Sequence, residues 1–391
     1  MSPKAILFIH HANDMYGADI GLLHSVKSLD RQKYHPIVIL PSDMPTGILS
    51  AELDRFGIEY HFAPLGILRR KYLSARRIIP LMLEFAKGVA YVRSTARGRR
   101  VALVYVNTIV APAGAIGGKL AGVPVLWHIR EILSMPRLVR WALQRALSIC
   151  ADRIICVSKA VRDSLLKEAP DLRKKAVVVY NAVSASSSSG KRQDIGFREE
   201  LGIPYGAALI GTVGRITHWK GQEILAEAAG LVLQNHPDVH FAAVGSYFAD
   251  ESHYLRRLES LIDNFGLHSK FHLTGYRSNV TDAYRAFDIF VLPSRKPEPF
   301  GRVTVEAMMQ GRAVIATNHG GTCELIQEGV TGMLIPPSDP KSLAAAIDLL
   351  LADRSLREKM GREAATYARE NFSLPGYEYQ MRNIIDGLAV A

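Results

Sequence analysis

The sequence predicts an α/β protein built from two doubly wound, Rossmann-like domains of similar size, and three observations carry that reading. Short apolar runs of strand length alternate with helix-length segments along nearly the whole chain. The alternation breaks once near the middle, at Ser184-Ala-Ser-Ser-Ser-Ser-Gly-Lys-Arg-Gln-Asp194, a stretch of linker composition. The length, 391 residues, is long for one core and comfortable for two.

In the first half the strand-like runs are 5–10, 36–40, 59–63, 101–107, 124–128, 153–157 and 177–180. Helical patterns separate them, most clearly at 20–29 and 138–149. Apolar strands spaced by helices read as a parallel sheet covered on both faces. After the break the strands are 208–213, 239–244, 271–274, 289–292, 313–316 and 333–335. Helices at 222–234, 254–265, 303–309, 342–351 and 356–370 lie between and after them. Residues 1–183 are therefore the first domain, 184–200 the linker and 201–371 the second domain. The tail, 372–391, carries a last helix at 375–390 that is expected to cross back and pack on the first domain. Ligands of such sheets bind beyond the carboxyl ends of the strands, so the cleft between the lobes is the expected site.

Composition narrows the class. Hydrophobic content of 48% with 22% charged residues describes a soluble globular protein. The longest apolar runs are of strand length, too short to span a bilayer, and residues 1–10 read as a first buried strand rather than a secretion signal. Three cysteines (Cys150, Cys156 and Cys323) without ligand-like spacing suit a reducing cytosol and argue against disulfides or zinc. The expected location is cytoplasmic, peripheral at the inner face of the membrane, because the charge is unevenly placed. Residues 1–183 hold 27 Lys+Arg against 13 Asp+Glu, while the remainder is slightly acidic. Much of the excess lies in 68–100, where ten basic residues face one acid, Glu84. Ile78, Ile79, Leu81, Met82, Leu83, Phe85, Val89 and Val92 are interleaved with them. That pattern predicts a basic amphipathic helix lying on an anionic membrane. A solvated helix whose other face packs on its own domain is the plainer alternative.

Glu298 and Glu306 are the most informative pair in the chain. Glu298-Pro-Phe-Gly301 is a loop following the 289–292 strand, and a helix pattern starts near Gly301. A helix N-terminus offers free N–H groups and positive dipole, a seat for phosphate. Carboxylates on either side of an anion seat suit a ligand with phosphate in the middle and hydroxyls at both ends, the layout of a nucleotide sugar. The first strand of the second domain runs into Gly211-Thr-Val-Gly214-Arg215-Ile-Thr-His-Trp-Lys220-Gly221. Arg215, a planar fork, and Lys220, a point charge, are placed to converge on a diphosphate. Surface charge in a flexible loop is the bland alternative. The loop is neither Gly-x-Gly-x-x-Gly nor a Walker loop.

These residues, in order and spacing, resemble glycosyltransferase family 4. Gly214-Arg215, Lys220-Gly221, Pro293-Ser294, Glu298-Pro-Phe-Gly301, Glu306-Ala-Met308 and Gly320-Gly321-Thr-Cys-Glu324 carry the likeness in the second half. Tyr16-Gly17, Trp127-His128-Ile-Arg-Glu131, Val157-Ser158 and Tyr180-Asn181-Ala-Val183 carry it in the first. The resemblance implies a GT-B fold, an acceptor-binding first domain and a nucleotide-sugar-binding second one. It implies a retaining hexosyl- or related glycosyltransferase of class EC 2.4, serving cell-envelope polysaccharide or glycolipid synthesis. The donor is a nucleoside-diphosphate sugar and the acceptor lipid-linked or a saccharide. Arg215 and Lys220 would hold the diphosphate and stabilise its departure. Glu306 would bind the ribose, and Glu298 the transferred sugar, aided by backbone N–H groups at Phe300 and Gly301. Gly214 opens the phosphate loop, Gly17 would let the first loop approach the phosphates, and His128 would sit near the sugar. His10, His11 and Asp14 are expected acceptor contacts. Many relatives have two glycines where this chain has Gly17-Ala18, and alanine resists φ > 0. Arg130 and Glu131 read as a local ion pair. No Asp-x-Asp occurs, which fits an enzyme needing no metal or other cofactor.

Two other classes are weighed. A nucleotide-sugar epimerase shares the architecture and would turn over donor without acceptor. A non-catalytic basic module binding nucleic acid is permitted by charge, but aromatic interleaving is sparse and no nucleic-acid motif appears.

Overall fold

The computed structural model describes residues 3–69, 78–132, 135–184, 191–247 and 251–389. The chain forms two units, Met1–Ala182 with Leu374–Ala391, and Val183–Ser373.

The first unit is a seven-stranded parallel sheet: β1 (Lys4–Ile9), β2 (Tyr34–Pro41), β3 (Glu59–Ala63), β4 (Val101–Val106), β5 (Val125–Ile129), β6 (Arg153–Cys156) and β7 (Ala176–Val178). Its spatial order is β3-β2-β1-β4-β5-β6-β7. Crossovers run through α1 (Gly17–Lys27), α2 (Ile48–Arg55), α3 (Ile78–Gly98), α4 (Pro112–Ala121), α5 (Arg137–Cys150) and α6 (Lys159–Glu168). Ile6, Leu7, Phe8 and Ile9 are fully buried in sequence. Such a run needs helices on both faces of the sheet, which is why the pattern is continuous rather than alternating.

The second unit opens with α7 (Lys191–Glu200) and has six parallel strands. They are β8 (Leu209–Val213), β9 (His240–Val244), β10 (Phe271–Gly275), β11 (Ile289–Leu292), β12 (Ala313–Thr317) and β13 (Met333–Ile335), in the order β10-β9-β8-β11-β12-β13. Its other helices are α8 (Gln222–Asn235), α9 (Ser252–Asn264), α10 (Thr281–Ala286), α11 (Arg302–Met309), α12 (Pro340–Ala352) and α13 (Arg354–Asn371). Leu225, Phe241, Ile289, Ile315 and Ile347 meet in one fully buried cluster.

The tail forms α14 (Leu374–Ala389), which belongs to the first unit. Its buried residues Tyr377, Met381, Ile385 and Ala389 recur every four positions, one helical stripe that joins Leu22, Val26 and Tyr34 in the first core.

One expectation needs correction. Residues 191–200, read as linker, are helix α7. Phe197 is buried edge-on against Phe287, at 6.1 Å between centroids. Arg198 donates to Ala207 O at 2.7 Å and to Asp288 Oδ2 at 2.7 Å. The polar start of this segment hides an anchor that only tertiary packing reveals. The remainder of the serine tract, 185–190, lies outside the described residues.

Candidate functional site

In each sheet the strand order reverses direction at one point, between β1 and β4 and between β8 and β11. Loops leaving neighbouring strands there diverge and leave a crevice. In the second unit those loops carry the predicted residues: Gly214, Arg215 and Lys220 follow β8, and Glu298, Phe300 and Gly301 follow β11.

Lys220 Nζ donates to Glu298 Oε1 at 2.8 Å, and Ser294 Oγ donates to the same oxygen at 2.6 Å. Glu298 is only 5% exposed. Its Oε2 has no hydrogen-bond partner among the described residues. Gly221 explains why Lys220 lies where it does. It caps α8 with φ of 69°, and a Cβ there would stand 2.1 Å from Pro293 O. Only glycine fits a left-handed turn pressed against the next loop. The two loops are tied again where Arg295 N–H donates to Trp219 O at 2.8 Å and Arg295 Nη2 to Glu223 Oε2 at 3.1 Å. Arg215 is half-buried in the same loop, its carbonyl accepting from Gln222 Nε2 at 2.9 Å.

A second clamp fixes Glu298 from below. Gly321 N–H donates to Glu298 O at 2.7 Å. Gly320 holds φ of 67°, and a Cβ would come within 2.5 Å of that same oxygen. The chain then passes Phe300, buried against Phe372 at 5.8 Å, and α11 begins after Gly301. Glu306 sits one turn inside α11. Its Oε1 accepts from Arg302 Nε at 2.7 Å and its Oε2 from Tyr284 OH at 2.7 Å. Burial, then the Glu306 carboxylate, pushes the Tyr284 phenol well above its ordinary range, so it stays a donor.

The first unit places a second polar cluster at its own switch point. His10 is fully buried; its Nε2 meets Asp19 Oδ1 at 2.8 Å and its Nδ1 accepts from Asn107 Nδ2 at 3.0 Å. Both ring nitrogens of His10, one of the expected acceptor contacts, are thus partnered within the first unit. Burial opposes the charge on Asp19, yet the hydrogen bonds from His10 and from the Tyr16 N–H at 2.9 Å hold its carboxyl below the usual range. His11 differs: its Nδ1 is out of water and lacks a partner among the described residues. Burial, with His10 beside it, lowers the His11 pKa to about 3. Asp14 is half-buried on the same loop.

Gly17 is the first residue of α1, exposed, with nothing near a Cβ built upon it. The glycine-to-alanine concern at Gly17-Ala18 therefore falls away. Both residues are helical, and neither has positive φ. Arg130 and Glu131 are not a local ion pair. The Arg130 guanidinium donates to Asn107 Oδ1 at 2.9 Å and Asn181 Oδ1 at 2.6 Å. Glu131 accepts from Thr108 Oγ1 and from the Ile109 N–H, and burial raises its pKa. His128 is fully buried on β5, hydrogen-bonded through Nδ1 to Tyr105 OH.

Sequence reasoning alone does not assign Ser294, Tyr284, Arg302, Tyr105 or Asn107 to the clusters. Arg302 has a detectable signal, being four residues before Glu306 on one helix face. Ser294 lies only four residues before Glu298, in the Pro293-Ser294 pair, whereas Tyr284, Tyr105 and Asn107 arrive from distant elements.

Two family profiles match. "Glycosyltransferase Family 4" covers residues 16–187 and "Glycosyl transferases group 1" covers 195–367. The chain belongs to the group 1, family 4 glycosyltransferases. Anabaena HepE, solved in complex with UDP, superposes on this family 4 chain with a TM-score of 0.85 at 26% identity. The match covers 98% of this chain and all of HepE. The fold is thus GT-B, two Rossmann-like parallel-sheet domains. Spore coat protein SA of Bacillus subtilis is 31% identical over 254 residues, 61% of this chain. D-inositol 3-phosphate glycosyltransferase of Corynebacterium jeikeium is 35% identical over 175 residues, 44% of this chain. The matched stretches span 65% and 42% of those relatives' own lengths.

Proposed function

We propose that this protein transfers a sugar from a nucleoside diphosphate to a lipid-linked or saccharide acceptor, with retention at the anomeric carbon and without a metal ion. The observation that carries the reading is the half-used Glu298 carboxylate. One oxygen is anchored by Lys220 and Ser294, and the other is left to accept a hydroxyl of the donor sugar. The solved complexes of HepE with UDP and with UDP-glucose support the donor class.

In this reading the diphosphate lies at the start of α11, within reach of Arg215 and Lys220. As the bond from anomeric carbon to phosphate oxygen breaks, negative charge grows on the departing diphosphate. Fixed cations and a helix N-terminus stabilise that charge without reorganising. The acceptor oxygen attacks from the same face, and its proton passes to the departing phosphate. Glu306 takes the ribose hydroxyls, held level by Tyr284 and Arg302.

Membrane contact belongs to the same proposal. Helix α4 packs against both α3 and α5, and the latter two begin at the carboxyl edge of the same sheet. Both expose large apolar side chains in their first turns: Ile79, Met82 and Leu83 on α3, Leu138 and Trp141 on α5. Arg137 and Arg145 flank the α5 stripe. Apolar side chains ringed by arginines fit an anionic lipid surface. Residues 70–77 of the basic stretch lie outside the described residues. Among the described residues, no helix is long and apolar enough to cross a membrane.

The test is incubation with UDP-, GDP- and ADP-sugars plus membrane lipid. Release of nucleoside diphosphate matched by sugar in the lipid or saccharide fraction is expected. Donor turnover without acceptor, or no binding of any nucleotide sugar, rejects the proposal. Trp141→Ser should weaken co-sedimentation with anionic vesicles and leave transfer to a soluble acceptor intact.

A further inference from the structure

A cleft of about 440 Å³ opens at the amino edge of the first sheet, where β1, β2 and β4 begin. It lies at the opposite edge from the loop that carries His10 and His11. Ala5 and His35 are registered partners on β1 and β2, and Ile37 lies two residues on, so all three share one face. Ala5 and Ile37 are buried and, with Pro3, make an apolar floor. The rim is cationic: Lys4, Arg99 and Arg100 surround the floor, with His35 as the remaining wall.

The rim side chains are held in different ways. Glu59 accepts from His35 Nε2 at 2.7 Å, from His61 Nε2 at 2.8 Å and from Arg99 Nη2 at 3.0 Å. It therefore fixes His35 and Arg99 in place. Lys4 Nζ donates to Ala389 O at 3.0 Å, which uses one of its three N–H groups. The Arg100 guanidinium has no hydrogen-bond or ion-pair partner among the described residues. Three cations against the single Glu59 carboxylate leave the cleft electropositive.

Arg100 also breaks a local rule. It follows the end of α3 with φ of 50°, the left-handed slot that glycine ordinarily fills after a helix. The helix end has cations without it, because Arg97 donates to Leu120 O and Arg99 pairs with Glu59. Just beyond, the ladder between β1 and β4 slips by one residue, so that Ala102 is left unmatched. A left-handed arginine beside a bulge is a costly junction of helix and strand. Such departures concentrate where a chain serves a ligand rather than its own stability.

The chemistry of the rim suits phosphate, which a guanidinium fork grips in the plane and an ammonium meets as a point charge. The floor suits the ring to which that phosphate is attached. A volume of about 440 Å³ lies within the range of small-molecule sites, roughly 300–1,000 Å³. A lipid headgroup fits less well. The exposed Ile79, Met82 and Leu83 are in the first turns of α3, while Arg99 and Arg100 follow its last. At 1.5 Å per residue the helix puts about 30 Å between them, so a bilayer lying on one end does not reach the other.

We propose that this cleft binds a soluble, ring-bearing phosphate monoester, its phosphate on Arg100, Arg99 and Lys4 and its ring on Pro3, Ala5 and Ile37. The assignment does not depend on the transferase reading.

The full chain is titrated by calorimetry at low ionic strength with phenyl phosphate, inorganic phosphate and phenol. Phenyl phosphate should bind saturably, inorganic phosphate roughly threefold more weakly or worse, and phenol not measurably. Arg100→Gln should weaken phenyl phosphate roughly tenfold or more, the loss of a charge-assisted pair. Arg215→Gln, in the second unit, should leave that affinity unchanged. Arg100→Gly removes the same guanidinium and relaxes the backbone, so it should lose binding yet melt no lower than wild type. Absence of saturable binding, or binding that survives Arg100→Gln, overturns the proposal. An equal loss in Arg215→Gln moves the ligand to the other phosphate loop and overturns it too. A lower melting transition in Arg100→Gly gives the arginine a stabilising role and overturns the argument from its backbone. Displacement of phenyl phosphate by phosphatidylglycerol vesicles would make the ligand a headgroup and overturn the soluble class.

Discussion

Lys220 and Glu298 stand 78 residues apart in sequence, and their side chains meet at 2.8 Å. The pair spans the two loops that leave β8 and β11, so it reports whether the switch point is assembled. Both partners are largely shielded, with side-chain exposures of 26% and 7%. Removing one leaves the other short of a partner, which costs more than the intact pair contributes. Lys220→Ala should destabilise the second unit by about 1–3 kcal/mol in urea melts. It should also lower kcat by roughly a hundredfold or more if the same ammonium stabilises the leaving diphosphate. Lys220→Ala combined with Glu298→Ala should be less destabilised than the sum of the singles. Full additivity would mean that the two side chains do not act together.

Glu306 is held at both oxygens, so its contribution to ligand binding can be separated from its supports. Glu306→Gln keeps the shape but gives up the charge and one acceptor oxygen. Calorimetric affinity for the nucleoside diphosphate should fall roughly tenfold. Tyr284→Phe leaves the carboxylate in place and removes one tether, so the loss should be only about two- to fivefold. Equal losses would reassign Tyr284 to direct ligand contact.

Transfer should survive chelation. Two side-chain cations and a helix N-terminus can neutralise a departing diphosphate, and the sequence has no Asp-x-Asp pair to hold a divalent ion. Initial rates with and without EDTA, after dialysis, should agree within about twofold. Recovery of a lost rate by manganese or magnesium alone would refute the cation assignment.

How much of this is legible in the sequence depends on how local each cause is. Strand 289–292 and the start of α11 can be read directly, because an apolar run, a Pro-Phe-Gly loop and a helix face are contiguous signals. Glu298, Glu306 and Lys220 stand out through the spacing of those same signals. The pairing of His10 with Asp19, nine residues on, is not legible, because position after β1 suggests ligand contact and the partner comes from the first turn of α1. Helix α7 is missed because Lys191-Arg-Gln-Asp194 looks like linker, and its anchors, Phe287 and Asp288, lie about ninety residues away. Tyr377 is invisible as a partner of Ser25, 352 residues before it, until the tail folds back. Composition and period reveal elements; side-chain pairs between elements need the topology.

Gly221→Ala isolates the backbone requirement of the Lys220 loop. The substitution asks alanine to hold φ of 69° with its Cβ 2.1 Å from Pro293 O. Strain and collision act together, so destabilisation of about 2–4 kcal/mol is expected in urea melts. Gly17→Ala, whose Cβ meets nothing, is the matched control and should change stability by less than about 0.5 kcal/mol.

Acid sensitivity should come first from histidines rather than carboxylates. Burial lowers the His240 pKa from 6.5 to about 4, with Lys270 and His272 adding to the effect. His272 Nε2 lies 3.0 Å from His240 Nδ1, so a proton on either ring faces its neighbour. His11, lowered to about 3, acts in the same sense. A histidine whose folded pKa lies below its unfolded value favours the folded state fully above the unfolded pKa, near 6.5. As pH falls from there toward 4, the unfolded chain takes up the proton first and stability drains away. Each ring contributes a slope of up to about 1.4 kcal/mol per pH unit within that window. Urea midpoints measured from neutral pH to about pH 4 should therefore decline below 6.5. His240→Gln should reduce the steepness by roughly a third or less, leaving the shares of His11, His128 and His272, whose pKa values burial also lowers. A midpoint flat down to pH 4, or a slope indifferent to His240→Gln, would place the acid-labile group elsewhere.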